Sequence, residues 1–327
     1  MTDKFKNTPF FSIIIPTRNR PELFFDALKS VESQFFQEKE IIIVNDGSTD
    51  EYLEKYKQLE HQHPHITFHY LIHRPNGHGQ SYSMNYGADQ AKGKYLCFLD
   101  DDDYWTDNNY LQKAYDHITK HQEPTDLYYS NQKAYFSNGE QQTANVWVED
   151  LIQTAPLQAK KHQDIFSVTP KFLLTSGGFS HLNCSIFRKA FYHIIKGMDE
   201  GIRYECDRDI YIRAIDQAEH ILYNPAYISK HHIPDPKKGD NMSTMISIYQ
   251  KKLFQLSVYD KNILLSKRPE VIQNCKLGKS YQLKHIAEAL AQEKRYKEAL
   301  YYAREALGAK PSIKWLLYTL TLIFKKI

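Results

Sequence analysis

The run Tyr95-Leu96-Cys97-Phe98-Leu99, followed directly by Asp100-Asp101-Asp102-Asp103 and then Tyr104-Trp105, is the tightest constraint in the chain. An unbroken apolar run that follows Gly93 closely predicts a buried strand. The four carboxylates then stand at its carboxyl end, the edge where open α/β sheets hold their ligands. Fold stability gives no reason to gather four like charges there, because crowded carboxylates repel and raise one another's pKa unless a cation or donor groups offset them. Hard oxygen ligands of this kind suit Mg²⁺ or Mn²⁺ carrying a substrate phosphate. A solvated acidic turn is the plain alternative, since short acidic motifs are common without a ligand.

Three earlier segments share the design. Phe10 to Ile15 is an apolar run broken only by Ser12, stops at Pro16 and gives way to Thr17-Arg18-Asn19-Arg20, with a helix opening near Pro21. Glu40 to Val44 ends in Asn45-Asp46-Gly47-Ser48, and Ile66 to Ile72 leads into Arg74-Pro75-Asn76-Gly77-His78-Gly79. Helical patterns follow the runs, from Leu23 to Val31, from Asp50 through Leu59 and from Ser81 to Gln90. Continuous rather than alternating apolar character marks parallel strands covered on both faces. The first hundred residues are therefore expected to form a doubly wound half, with Pro16-Thr17, Asp46-Gly47-Ser48 and Asp100 to Asp103 on one edge. Each loop alone is ordinary turn chemistry; their shared position after parallel strands points to one ligand.

With 327 residues and 42% apolar content, the chain can bury a large core in two or three domains. A net charge of +3 is too mild to indicate nucleic acid. Cys97, Cys184, Cys206 and Cys275 are far apart and form no C-x-x-C pair, so neither a zinc site nor a disulfide framework is expected, and a reducing, cytoplasmic setting fits. Met1 to Pro9 lacks the apolar core of a secretory signal, and no stretch approaches the roughly 20 apolar residues of a membrane span.

Further along, Asn108 to His121 has the spacing of an amphipathic helix, and Asp126 to Phe136 reads as one or two strands. Val146 to Lys161 shows no clear period and is expected to be a loop or flap near an acceptor. Tyr204 to Arg213 opens a helix whose first-turn carboxylates suit its dipole, and Ile221 to Tyr227 reads as a strand delivering Lys230-His231-His232. Beyond Ile246 the chain turns helical, with Lys284 to Lys310 patterned like a single tetratricopeptide-type pair. The last helix, Ser312 to Ile327, gathers Ile313, Leu316, Leu317, Leu320, Ile323, Phe324 and Ile327 on one face, with Lys310, Lys314, Lys325 and Lys326 nearby. That face suits an anionic membrane surface, its own domain or a dimer partner equally. The expected division is 1–245, in halves 1–103 and 104–245, followed by 246–327.

The order of these motifs resembles the family 2 glycosyltransferases, inverting enzymes of the GT-A fold that use nucleotide sugars; the likeness is strong over Phe10 to Asp103 and thinner to Ser243. It implies an α/β, doubly wound mixed sheet with a C-terminal helical extension. Phe11 to Arg20 is similar to the family's opening strand and nucleotide loop, which implies donor contacts from Pro16, Thr17, Arg18 and Arg20. Ile43 to Asp50 is similar to its second motif, where Asp46, beside Gly47, would contact the base. Asn76, Gly79 and Asn85 match the segment leading to the D-x-D, in which Asp100 would contact the ribose and Asp102 the metal, with Asp101 and Asp103 beside them. Met84 stands where many members carry arginine. Thr175 to Arg188 looks like the glycine-containing loop and strand before the acceptor helix. Asp207 matches the catalytic base, Asp209 the acid after it, and Cys206 replaces the usual glutamate. His232, in preference to His231, would reach the metal or the diphosphate, with Lys237 and Lys238 following.

Together these imply a transferase using Mn²⁺ or Mg²⁺ and a UDP-sugar, acting on a glycan or lipid-linked glycan such as capsule, O-antigen or lipooligosaccharide, with no nucleic-acid partner. A nucleotidyltransferase would need a glycine-rich basic loop near the start, and Pro16 to Arg20 contains no glycine. A non-catalytic scaffold acting through the helical tail is the rival of another class, and the four aspartates with Asp207 speak against it.

Overall fold

The computed structural model describes residues 8–158, 160–162, 164–235, 237 and 242–325, and they form two compact units, Met1–Asp235 and Pro236–Ile327. Lys238, Lys326 and Ile327, singled out above, lie outside the described residues.

In the first unit, β1 (Phe11–Thr17) is central. It pairs in parallel with β2 (Lys39–Asn45) on one side and β4 (Tyr95–Phe98) on the other, and β2 pairs in parallel with β3 (Thr67–Tyr70). All seven residues of β1 and all four of β4 are buried, the double coverage that their largely apolar runs demand. The covering helices are α1 (Pro21–Glu32), α2 (Asp50–Gln62) and α3 (Gln80–Gln90). Pro21 opens α1 where its missing N–H costs nothing, and Phe24, Ala27, Leu28 and Val31 form its buried stripe. Chain order places β2 and β3 to one side of β1 and β4 to the other. The crevice where that order reverses opens at the carboxyl ends of β1 and β4.

Beyond β4 the sheet becomes mixed. The short β5 (Tyr104–Trp105) is followed by α4 (Tyr110–Lys120) and by β6 (Leu127–Tyr135), a single strand. The segment expected to be an open loop instead forms α5 (Leu151–Gln158) and β7 (Lys160–His162), both too short to leave a legible period. β8 (Ile165–Val168), α6 (Pro170–Leu173), a 3-10 turn (Leu182–Cys184) and β9 (Ser185–Arg188) follow, then α7 (Lys189–Ile194) and α8 (Cys206–Gln217). β9 inserts antiparallel between β4 and β6. The last strand, β10 (Ile221–His232), runs parallel to β6, and β5 and β8 flank it antiparallel. It continues five residues past the expected end at Tyr227. Register shifts around Tyr227 absorb Pro225 and carry the chain on to His231 and His232.

The second unit is helical: α9 (Met242–Met245), α10 (Ile248–Leu265), α11 (Pro269–Gln292), α12 (Tyr296–Ala309) and α13 (Ile313–Lys325). Leu283, Ile286, Ala287 and Leu290 of α11 meet Ala299, Leu300, Ala303 and Ala306 of α12, the pair read from the pattern of small and large apolar residues. Helix α13 packs on its own unit through the flank of the aliphatic face singled out in the sequence. Trp315, Thr319 and Leu322 are buried, and the Trp315 indole donates to the Ala303 carbonyl at 2.9 Å. Ile313, Leu316, Leu317, Leu320 and Phe324 are exposed.

Candidate active site

The Asp100–Asp103 turn begins where β4 ends, and each carboxylate has its own surroundings. Asp101 points inward and is buried; it accepts from the Thr17 hydroxyl at 2.7 Å and pairs with the Arg20 guanidinium. The Thr17 hydroxyl also meets the buried Tyr56 hydroxyl at 2.7 Å, which in turn accepts from the Arg20 amide. Burial pushes the Tyr56 phenol up to about 12, so it stays a neutral hydrogen-bonding group. Arg20 reaches Asp102 as well, at 2.9 Å. The loop after β1 and the turn after β4 are thus locked together across the crevice.

Asp103 is also buried. Its carboxylate accepts from the Asn183 amide at 2.5 Å, the His231 imidazole at 2.7 Å and the His232 backbone N–H at 2.7 Å. Desolvation would raise its pKa, but His231, and more distantly His181, outweigh it and hold Asp103 below the ordinary carboxylate value. His231 shows the reciprocal balance: burial lowers it, the adjacent carboxylate raises it, and the net shift is upward. His232 donates from Nδ1 to the Asp102 carbonyl at 2.5 Å, which leaves Nε2 as the atom able to face a ligand.

Asp100 accepts from the Gln80 amide at 2.6 Å, and its backbone N–H donates to Asn183 at 2.9 Å. Across from it stands Asp207, in the first turn of α8. His181 lies between the two, its Nε2 3.4 Å from Asp207 and 3.8 Å from Asp100. Its Nδ1 accepts the Asn183 N–H at 3.3 Å, which places the ring proton on Nε2, facing the carboxylates. Burial foremost lowers the pKa of His181 and keeps it neutral. Burial and then Asp207, with the three other aspartates, push Asp100 well above its ordinary value. This side of the turn holds more negative charge than the groups around it offset. Oxygens of Asp100, Asp102 and Asp103 lie within 4.8 Å of one another, an all-carboxylate donor set that fits Mg²⁺ or Mn²⁺.

The remaining residues picked from sequence divide. Pro16 is buried within β1 against Val44 of β2. Arg18 donates to the carbonyls of Arg74 and Pro75, and Asn76, between them and the glycines, is exposed. Asp46 spends both oxygens on the amides of His78 and Gly79, at 2.8 and 2.9 Å, so it shapes the loop after β3. Gly47 has φ +63°, and a Cβ there would strike the backbone of Ile72 and His73, so only glycine suits. Asn85 is occupied by Met198, Glu200 and Tyr192, bracing the 198–200 segment against α3. Asp209 is fully buried in an ion pair with Arg213 at 2.8 Å, and Cys206 is buried.

Sequence reasoning missed four contributors. His181 and Asn183 sit inside a segment read only for its glycines. Trp147 comes from the segment without a period, and its ring stands 5.7 Å from that of His181 and 5.1 Å from that of His231. The fourth is Arg203. Met84 is fully buried, so α3 presents no cation from that position. The Arg203 guanidinium lies against Gly79 at the start of α3, where a Cβ would collide with it. Arg203 is exposed and, among the described residues, has no hydrogen-bond or ion-pair partner.

A model of the family described as "Glycosyl transferase family 2" matches residues 12–192, more than half of the chain. Over 95 residues the chain is 37% identical to the GalNAc(5)-diNAcBac-PP-undecaprenol beta-1,3-glucosyltransferase of Campylobacter jejuni, covering 29% of this chain and 30% of that protein. The chain therefore matches under a third of that relative's length. Among solved structures, Staphylococcus aureus TarS 1–349 in complex with UDP-GlcNAc superposes with a TM-score of 0.65 at 19% identity, covering 92% of this chain and 81% of that one. A Pyrobaculum calidifontis mannosyltransferase in complex with GDP-Man and Mn²⁺ gives 0.58 at 14% identity, covering 97% and 85%. At these identities the structures establish the shared fold.

Proposed function

The chain belongs to glycosyl transferase family 2, and from that membership we propose that it moves a sugar from a UDP-sugar to a hydroxyl of a lipid-linked surface glycan, with inversion at the anomeric carbon. The observation that carries this reading is the meeting, at the switch point of the sheet, of the Asp100–Asp103 turn with Asp207 through His181. TarS binds UDP-GlcNAc in a like fold, and the Campylobacter relative is named for an undecaprenol-linked acceptor; both support the donor and acceptor classes.

Asp102 would hold the divalent cation, with Asp100 and Asp103 beside it and His232 as the histidine that reaches in. His231 is committed to Asp103, whereas His232 gives its Nδ1 proton to a carbonyl, the pattern that readies the opposite nitrogen of a ligating imidazole. Mn²⁺ or Mg²⁺ held by these residues would offset the charge on a departing diphosphate. Thr17, Arg18 and Arg20, with Asp46, Gly47 and the Asn76–Gly79 loop, form the nucleotide side of the crevice. Arg203, at the start of α3 and beside Gln80, supplies the cation for the diphosphate that Met84 does not. Asp207 accepts the proton of the acceptor hydroxyl as it attacks from the opposite face, and neutral His181 holds the carboxylate in place. Four buried cysteines without a disulfide suit the cytoplasmic side, and the exposed apolar residues of α13 would meet the inner membrane surface.

Titration of UDP and GDP into the protein, with and without Mn²⁺, tests the donor site. Mn²⁺-dependent UDP binding that Asp102→Ala abolishes is the expected result. Absence of binding by either nucleotide would overturn the reading.

A further inference from the structure

Away from the crevice, three metal-ligating side chains meet on the first unit. Glu32 is the last residue of α1, His63 follows the end of α2, and His65 precedes β3. Helices that follow parallel strands return to the edge where the strands begin. The group therefore stands at the opposite end of the sheet from Asp100–Asp103. The His63 Nδ1 and the His65 Nε2 both lie 2.9 Å from one oxygen of Glu32, and all three atoms fall within 4.8 Å of one another. His63 and Glu32 are mostly covered, with side chains 20% and 25% exposed, while His65 stands out at 64%.

We propose that Glu32, His63 and His65 form a second cation site, selective for a borderline transition metal, Zn²⁺ above all. Two imidazoles and one carboxylate match the donor preference of Zn²⁺, whereas Mg²⁺ and Mn²⁺ favour all-oxygen sets such as that at Asp102. Ligands about 2.0–2.1 Å from a tetrahedral Zn²⁺ lie roughly 3.3 Å apart. The two 2.9 Å contacts are therefore near the required spacing, with a proton now standing where the metal would. The local sequence prepares the geometry. In His61-Gln62-His63-Pro64-His65, helix α2 ends at Gln62 and Pro64 fixes the backbone dihedral between the two ligands, turning both rings toward α1. Three protein ligands leave a fourth position for water. The bound metal would staple α1 to the connection between α2 and β3. None of this depends on the transferase reading.

Titration with ZnCl₂ followed by calorimetry, and with CoCl₂ followed by visible absorption, tests the site on the whole protein. One Zn²⁺ per chain is expected in the wild type and in Asp102→Ala, with the absorption bands of four-coordinate Co²⁺. Outer-shell changes at metal sites already cost about 10- to 100-fold in affinity, so loss of a ligand in His65→Ala or Glu32→Gln should cost at least as much. His65 is largely exposed, so its removal leaves the fold intact, and His61→Ala serves as the control that keeps binding. No Zn²⁺ binding by the wild type, or binding that survives His65→Ala and vanishes in Asp102→Ala, would overturn the proposal.

Discussion

Replacing Asp207 by asparagine removes a proton acceptor while keeping the shape that faces His181. A general base contributes about 10²- to 10⁴-fold, so Asp207→Asn should lower turnover by that range and leave Mn²⁺-dependent UDP binding within about twofold in calorimetry. Equal loss of both would mean that Asp207 shapes the donor site instead. Arg203 makes a different prediction, because the role proposed for it is confined to the diphosphate. A hydrogen bond to a charged group is worth about 1.5–3 kcal/mol, so Arg203→Ala should weaken UDP roughly 10- to 100-fold and leave uridine binding unchanged. Equal weakening of both ligands would remove Arg203 from the diphosphate. The pair His231–Asp103 sets a pH dependence in the metal-free protein. The folded pKa of His231 is raised, so its contribution is complete below the unfolded value near 6.5 and is lost as pH climbs through the folded value. Asp103 is lowered, so its contribution is complete above about 3.8 and is lost as pH falls through its folded value. Thermal stability in EDTA should therefore decline as pH rises above about 6.5, and His231→Gln should flatten that decline. An unchanged slope would show that the pair does not govern it.

Among the elements, the 3-10 turn Leu182–Cys184 bears most on the site, because its Asn183 bonds Asp100 and Asp103 from one side chain while its carbonyl holds Trp105. Asn183→Ala leaves buried polar groups unpaired, which costs about 1–3 kcal/mol each; a fall of that size in denaturant unfolding, with weaker Mn²⁺-dependent UDP binding, is expected. This element also shows where legibility stopped. The parallel strands and their helices were readable because burial on both faces forces largely apolar runs, and Asp46, Asp100–Asp103 and Asp207 were readable because they end those runs or start a helix. His181, Asn183 and Trp147 carry no period of their own and acquire meaning only when β9 slots between β4 and β6. For helix α13 the sequence left the buried seam undecided for a related reason. Its aliphatic residues outnumber what one face can bury, and the seam chosen centres on Trp315, whose indole finds a carbonyl on α12. Trp315→Ala should destabilise the helical unit by about 3–5 kcal/mol, whereas Leu317→Ala should change it by under about 0.5 kcal/mol.

For the molecule as a whole, the open question is where a lipid-linked acceptor would meet a chain in which no described helix is long and apolar enough to cross a membrane. The exposed side chains of α13 offer an answer in chemical terms. Ile313, Leu316, Leu317, Leu320 and Phe324 form an uncovered apolar surface on one helix, and Lys310 and Lys314 lie at its start. Burying such residues at the level of the headgroups gains hydrophobic free energy, and each lysine near an anionic surface adds about 1 kcal/mol at physiological salt. Binding by this route requires both parts. The protein should sediment with vesicles containing anionic phospholipid, less with neutral ones, and less again as salt is raised. Leu317→Glu with Phe324→Glu should release it without changing Mn²⁺-dependent UDP affinity, because neither residue belongs to the crevice. Vesicle binding that ignores both substitutions would place the contact elsewhere on the chain. Dimerisation in solution that the same substitutions abolish would assign this face to a second copy of the protein.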